Sequence, residues 1–74
     1  MDDEGDLTIA PMHRLLKKAG AERVSESAAL ELKKILEDFG LKISKEALDF
    51  ALHAHRKTVK DVDVRIAATK ILKY

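Results

Sequence analysis

The chain has 74 residues, of which 46% are hydrophobic and 36% are charged, and it contains no cysteine. A chain of this length forms at most one domain and buries a small fraction of its surface, so we expect a partner to complete its core. The composition excludes a disordered chain, and the lack of cysteine excludes disulfide bonds and thiolate metal sites. No apolar run approaches the length that crosses a bilayer, which predicts a cytoplasmic protein with no membrane partner.

The acidic residues are unevenly distributed along the chain. Residues 1–6 hold four of the 13 acidic residues and no basic residue. This segment has nothing to bury, so we expect a mobile acidic tail over residues 1–6 and one folded domain over residues 7–74. The net charge of the whole chain is +1, but its 14 basic residues face only 9 acidic ones once the tail is set aside, which gives the domain a charge of +5. Such a charge favours a polyanionic partner without proving one.

The pattern of apolar residues predicts three helices. The first begins near Pro11, whose fixed φ suits a first turn, and stops at Gly20. Ser25 is a good N-cap for a long second helix that reaches about Ala54, and Asp61 opens a short third helix. The sequence therefore predicts an all-α fold in the order short, long, short.

The long helix carries more apolar surface than one small domain can cover. Some 28 residues of helix span about 42 Å, whereas a compact chain of this size is only about 28 Å across. One broad apolar arc and a second, narrower stripe imply two packed layers, one of which can be a second copy of the chain. Gly40 lies near the midpoint of the helix and is either a crossing point or a tolerated glycine without a packing role. The predicted dimer core is Leu32, Ile35, Leu36, Phe39, Gly40 and Ile43.

Three short stretches carry a resemblance to a known family. They are Ile9-Ala10-Pro11 at the start of the first helix, the first loop from Lys18 to Ser25, and the second loop from Arg56 to Lys60. In this order and at this spacing around a long helix, the chain resembles archaeal histones over about residues 7–72. The resemblance implies a histone fold that forms an intertwined dimer. Two copies of the chain pair head to tail across the central helix, which brings the first loop of one copy beside the second loop of the other.

The resemblance also implies a surface for double-stranded DNA. Arginine matches phosphate oxygens and favours the electronegative minor groove, and none of these contacts would identify a base. The chain would then bind, wrap and compact DNA with little sequence preference, associated with the chromosome and without a cofactor. Taken alone, the lysines could equally form a solvated face. The predicted DNA contacts are Arg14, Lys17, Arg23, Arg56, Lys57 and Thr58.

Further roles are implied around the second loop. Arg56 can form a structural ion pair with Asp63 as well as contact DNA. Phe50, His53 and Asp63 match positions through which dimers join end to end, so tetramers or larger multimers are expected. The alternative for His53 is a local pairing with Asp49 one turn back. A metal site is not expected, because His53 and His55 face different sides of a helix.

Two histidines depart from the family pattern. His13 in the first helix and His55 after the second helix stand where glycine is usual, and the latter position commonly needs a left-handed backbone.

Besides a homodimer, the sequence leaves open a heterodimer with another histone, a histone-fold subunit of a transcription complex that acts through protein partners, or an interaction module without DNA. An enzyme is not expected, since no nucleophile with a base or phosphate-binding glycine loop is present.

Overall fold

The computed structural model describes residues 7–72, and these form three α-helices and no strand. The helices are α1 (Ile9–Lys18), α2 (Glu26–His53) and α3 (Asp61–Leu72). The predicted all-α order of short, long and short helices is confirmed. The predicted acidic tail over residues 1–6 and the last two residues of the predicted domain lie outside the described residues.

The start of α1 differs from the prediction by two residues. The helix begins at Ile9, after Thr8 in an extended conformation, and not at Pro11. Proline is tolerated at the third helical position because the first four N–H groups of a helix have no partner within it. A proline near the start of an apolar pattern therefore marks the first turn and not its first residue.

A Schellman motif ends α1 and sets the direction of the first loop. Gly20 has a φ of +114°, its N–H donates to the Lys17 carbonyl at 3.0 Å, and the Ala21 N–H donates to the Leu16 carbonyl at 3.3 Å. These two bonds satisfy carbonyls that the helix leaves open, and they require a residue that adopts positive φ without strain. The prediction that the first helix ends at Gly20 is therefore confirmed.

Ser25 caps the long helix as predicted. Its Oγ accepts the Ala28 N–H at 3.0 Å, and Glu26 stands in the first turn, where a negative charge stabilises a helix. From there α2 runs for 28 residues and passes through Gly40 without a break. A Cβ built at Gly40 would meet no atom within 4 Å, so this glycine has open space beside it in the single chain.

The second loop begins with another Schellman motif, in which His55 takes the place of glycine. His55 has a φ of 60°; its N–H donates to the Leu52 carbonyl, and the Arg56 N–H donates to the Ala51 carbonyl, both at 2.9 Å. Histidine enters this left-handed region at some cost relative to glycine. At the other end of the loop, Asp63 in the first turn of α3 accepts the Lys60 N–H at 2.8 Å, which caps that helix.

The described chain divides into two units, residues 7–38 and residues 39–72. In the first unit, Met12 of α1 and Ala29 of α2 are buried. In the second unit, the buried apolar residues are Ala47 and Ala51 of α2 and Ala67 of α3. Among the described residues, Met12 is therefore the one large apolar side chain in the core, and the other buried apolar residues are alanines.

Candidate nucleic-acid interface

Basic side chains follow one side of α1. Arg14, Lys17 and Lys18 are spaced three and four residues apart, which places them on one helical face, and they line an open depression together with His13. Lys17 and Lys18 also stand in the last turn, where positive charge stabilises the helix. No acidic residue lies in α1, so this face is wholly basic.

Arg23 is the basic residue of the first loop. It is exposed and lies at the edge of a depression whose other lining includes Leu16 of α1 and Val24 and Ala28 at the start of α2. The guanidinium therefore projects from a loop whose backbone is fixed at one end by Gly20 and at the other by the Ser25 cap.

The second loop is organised by Arg56. Its two terminal nitrogens donate to the two carboxylate oxygens of Asp63 at 2.9 and 2.8 Å, a bidentate arrangement, and one of them also donates to the Thr58 carbonyl at 2.9 Å. Asp63 is only 2% exposed and Arg56 is half-buried. The ion pair that the sequence suggested is thus present, and it joins the second loop to α3.

The charges of this pair stabilise each other. The hydrogen bonds from Arg56 and from the Lys60 N–H lower the pKa of the Asp63 carboxyl from 3.8 to about 2. The hydrogen bond to Asp63 raises the pKa of the Arg56 guanidinium above its ordinary value. Both groups therefore stay charged over the neutral range, so the ion pair is present there.

Four of the six predicted DNA contacts carry a cation that is not paired by any of the residues that the structure describes. Arg56 is committed to Asp63 and Thr58 is used through its carbonyl, whereas the other four side chains are exposed and make no ion pair or hydrogen bond within residues 7–72. We refer to these four as the open basic set. They are Arg14, Lys17, Arg23 and Lys57.

The open basic set is distributed over both units. Three members lie on α1 and the first loop in the first unit, and Lys57 lies on the second loop in the second unit. The residues predicted to meet across a head-to-tail dimer thus belong to separate units of one chain.

Four of the six residues of the predicted dimer core are exposed in the single chain. Ile35 is 46% exposed and Phe39 is 41% exposed; Leu36 and Gly40 are also exposed, and Leu32 and Ile43 are half-buried. In the second stripe Leu30 is half-buried, whereas Leu41, Leu48 and Leu52 are exposed. Exposed large apolar side chains in this number are typical of a surface that another molecule covers.

The residues predicted to join dimers have partners inside the chain. His53 Nδ1 lies 2.9 Å from the Asp49 carbonyl oxygen, so the local pairing occurs through the backbone of Asp49 and not its carboxylate. Phe50 is half-buried under the Lys70 ammonium, 6.0 Å from its ring centre. Asp63 accepts three hydrogen bonds within the chain, which leaves one acceptor position on its Oδ1 oxygen.

Two polar links between residues far apart in the sequence were not predicted. Lys70 of α3 donates to Glu46 of α2 at 3.2 Å, and Glu37 accepts the Leu7 N–H at 2.8 Å. Glu37 also lies 3.7 Å from Lys33, four residues earlier, and a contact at this spacing can be read from helical periodicity.

Two negative findings limit the chemistry of the described residues. Within residues 7–72, no group of three or more histidine and acidic side chains is placed to hold a metal ion. Nor is any helix in that range long and apolar enough to cross a membrane.

Helix lengths, loop positions and exposed basic residues together define a histone-fold protein of the DNA-binding class. The model of the family "Histone-like transcription factor (CBF/NF-Y) and archaeal histone" matches residues 6–68. The chain is 56% identical to a subunit of the archaeal histone HAN1 from Thermococcus zilligii and 50% identical to "Probable archaeal histone 3" of Methanocaldococcus jannaschii. Each match covers 62 residues, which is 84% of this chain and 92% of the relative.

The chain therefore belongs to the family of histone-like transcription factors and archaeal histones. It is a DNA-binding protein of chromatin and not an enzyme, as the sequence predicted.

Proposed function

We propose that this protein is a homodimer that binds double-stranded DNA without sequence preference, wraps it and compacts it. The observation that carries the proposal is the open basic set, whose four cations are exposed and unpaired within residues 7–72. Lysine and arginine that neutralise phosphates release counterions, and this gain is the same for any DNA sequence. The protein would act in the cytoplasm on the chromosome.

The exposed apolar arc of α2 supports the dimer. Ile35, Leu36 and Phe39 lie within two turns of one another and would each lose hydration on pairing with a second copy. The open space beside Gly40 would let a second helix approach the backbone at this point. A head-to-tail pair would place the first loop of one copy beside the second loop of its partner, so the open basic set would form one continuous surface.

Assembly beyond the dimer is proposed through Phe50, His53 and Asp63. His53 is exposed at the end of α2, and Asp63, which is only 2% exposed in the single chain, keeps one acceptor position on Oδ1. Contact between these residues of two dimers would give tetramers and larger multimers along DNA. In DNA binding, Arg56 would act chiefly by holding the second loop in place. Thr58 would act through its position beside Lys57.

A second candidate function is membership of a heteromeric complex. The family includes histone-like transcription factors, and the Thermococcus zilligii relative is named as one subunit of its histone. A chain of this kind would pair with a different histone-fold chain and act through protein partners. Sedimentation equilibrium of the purified chain distinguishes the two: a stable dimer favours the homodimer, and a monomer or aggregate favours an obligate partner.

The experiment that tests DNA binding is a titration of a random-sequence duplex of roughly 60 base pairs, followed by fluorescence anisotropy over a range of salt concentrations. We expect log affinity to fall linearly with log salt, by about 0.9 for each neutralised phosphate, and to be equal for two unrelated duplexes. A variant in which all four residues of the open basic set are alanine is the control. Failure to bind at low salt would reject DNA as the partner.

A further inference from the structure

The position at which residues 1–6 join the domain is fixed by Glu37. The Leu7 N–H donates to Glu37 Oε2 at 2.8 Å, a contact between residues 30 positions apart. Glu37 is half-buried, and the same oxygen lies 3.7 Å from the ammonium of Lys33, which is 5% exposed. Leu7 is therefore held against α2, two residues before α1 begins.

From this point the basic face of α1 is within reach of the acidic segment. Six residues span at most about 20 Å. Leu7 precedes Ile9, the first residue of α1, by two residues, and Arg14 and Lys17 lie about 8 and 12 Å along the helix from Ile9. An extended segment of six residues attached at Leu7 is thus long enough to reach the basic residues of α1.

The charges of the two segments are complementary. Residues 1–6 contain four carboxylates and no basic side chain. The α1 face has three exposed cations, Arg14, Lys17 and Lys18, and no acid within the helix. None of the three pairs with a carboxylate among residues 7–72.

We infer that residues 1–6 act as an internal polyanion that competes with DNA for Arg14, Lys17 and Lys18. The inference rests on the proposed function, because the competitor matters only if DNA binds this face. A tethered segment has a local concentration in the millimolar range, while each exposed ion pair is weak. The segment therefore reduces the affinity for DNA by a modest factor without preventing binding.

Two variants with the same gain in net charge test the inference. The first is D2N/D3N/E4Q in the acidic segment, and the second is E31Q/D38N/D49N at exposed positions of α2. We expect the first to bind the random duplex about five- to tenfold more tightly than the unmodified chain at low salt, with a difference that vanishes at high salt. The second should gain much less. Equal affinity of the first variant and the unmodified chain, or an equal gain in both variants, would overturn the inference.

A measurement without DNA separates this inference from the proposed function. We expect the backbone amide signals of Arg14, Lys17 and Lys18 to differ between the unmodified chain and D2N/D3N/E4Q in low salt, and to coincide in high salt. If neither protein binds DNA, the proposed function fails and these signals alone decide whether the segment contacts α1. Identical signals in low salt would exclude the contact.

Discussion

Arg56 and Lys57 are neighbours in the second loop, yet the chain uses them differently. Arg56 makes three hydrogen bonds inside the chain, to the Asp63 carboxylate and the Thr58 carbonyl. Lys57 is exposed and makes none within residues 7–72. The two residues look alike in the sequence, and only the fold assigns one to the structure of the loop and leaves the other available for a phosphate.

The first prediction concerns this available cation. Lys57→Ala should weaken binding equally for all DNA sequences and lower the salt slope by about one unit, because one phosphate contact is lost. Arg23→Ala should have the same effect. Anisotropy titrations at four salt concentrations measure the slope, and Lys42→Ala, an exposed lysine of α2 outside the predicted interface, is the control. A slope equal to that of the unmodified chain would remove the substituted residue from the interface.

The second prediction concerns acid stability. The folded chain holds the pKa of Asp63 at about 2, below its ordinary 3.8, so it binds that proton less readily than the unfolded chain. The stabilisation is therefore complete above pH about 4 and is lost as the pH falls towards 2. Asp63→Asn should unfold at lower urea at pH 7, and its stability should fall less between pH 4 and pH 2 than that of the unmodified chain.

Asp61→Asn is the matched control for this experiment. Asp61 also lies in the first turn of α3, but it is exposed and its link to Arg65 is a longer contact of 3.4 Å. Exposed pairs of this kind contribute little to stability. Urea midpoints of Asp61→Asn should follow those of the unmodified chain at every pH, and a loss as large as that of Asp63→Asn would show that position in the first turn, and not the pair with Arg56, is what matters.

At the scale of the helices, local chemistry identified most of the ends. Gly20, Ser25 and Asp61 mark helix ends through the backbone angle that each tolerates or the side-chain oxygen that each offers. His55 was singled out only because the family has glycine there, and its φ of 60° confirms that the position is left-handed. The first helix was predicted to begin near Pro11 and begins two residues earlier, at Ile9, because proline is acceptable at several positions of a first turn.

The links between helices were harder to predict for a physical reason. Lys70 and Glu46 are 24 residues apart, and Leu7 and Glu37 are 30 residues apart. Whether such groups meet depends on how two helices pack, and helical periodicity carries no information about that. For the interface, the basic residues could be predicted from the sequence. The structure adds that Arg56 is paired with Asp63, whereas the open basic set is not paired within residues 7–72.

The third prediction belongs to the helix ends and compares two histidines that replace usual glycines. His55→Gly should stabilise the chain by about 1 kcal/mol, because glycine adopts the left-handed backbone without strain. His13→Gly should destabilise it by a similar amount, because His13 lies within α1, where glycine is unfavourable. Thermal unfolding of the two variants at equal concentration checks this. Shifts of the same sign would contradict the assignment of the His55 backbone.

At the scale of the whole molecule, the exposed apolar residues predict that folding depends on concentration. If dimers form through the arc of α2, the unfolding midpoint should rise with protein concentration, because association stabilises only the folded state. Phe39→Asp should abolish this dependence and lower the midpoint, whereas Phe39→Leu, which keeps an apolar side chain at the same position, should retain it. A midpoint independent of concentration in the unmodified chain would contradict the dimer.

The small size of the buried residues also has a consequence for the life of the protein in the cell. Among residues 7–72, four of the five buried apolar residues are alanines, while many large apolar side chains are exposed in the single chain. A newly made chain without a partner therefore exposes apolar surface, which is the feature by which proteases and chaperones recognise unassembled proteins. Copies that find a partner would escape them and surplus copies would be degraded, so the supply of partners would set how much of the protein accumulates.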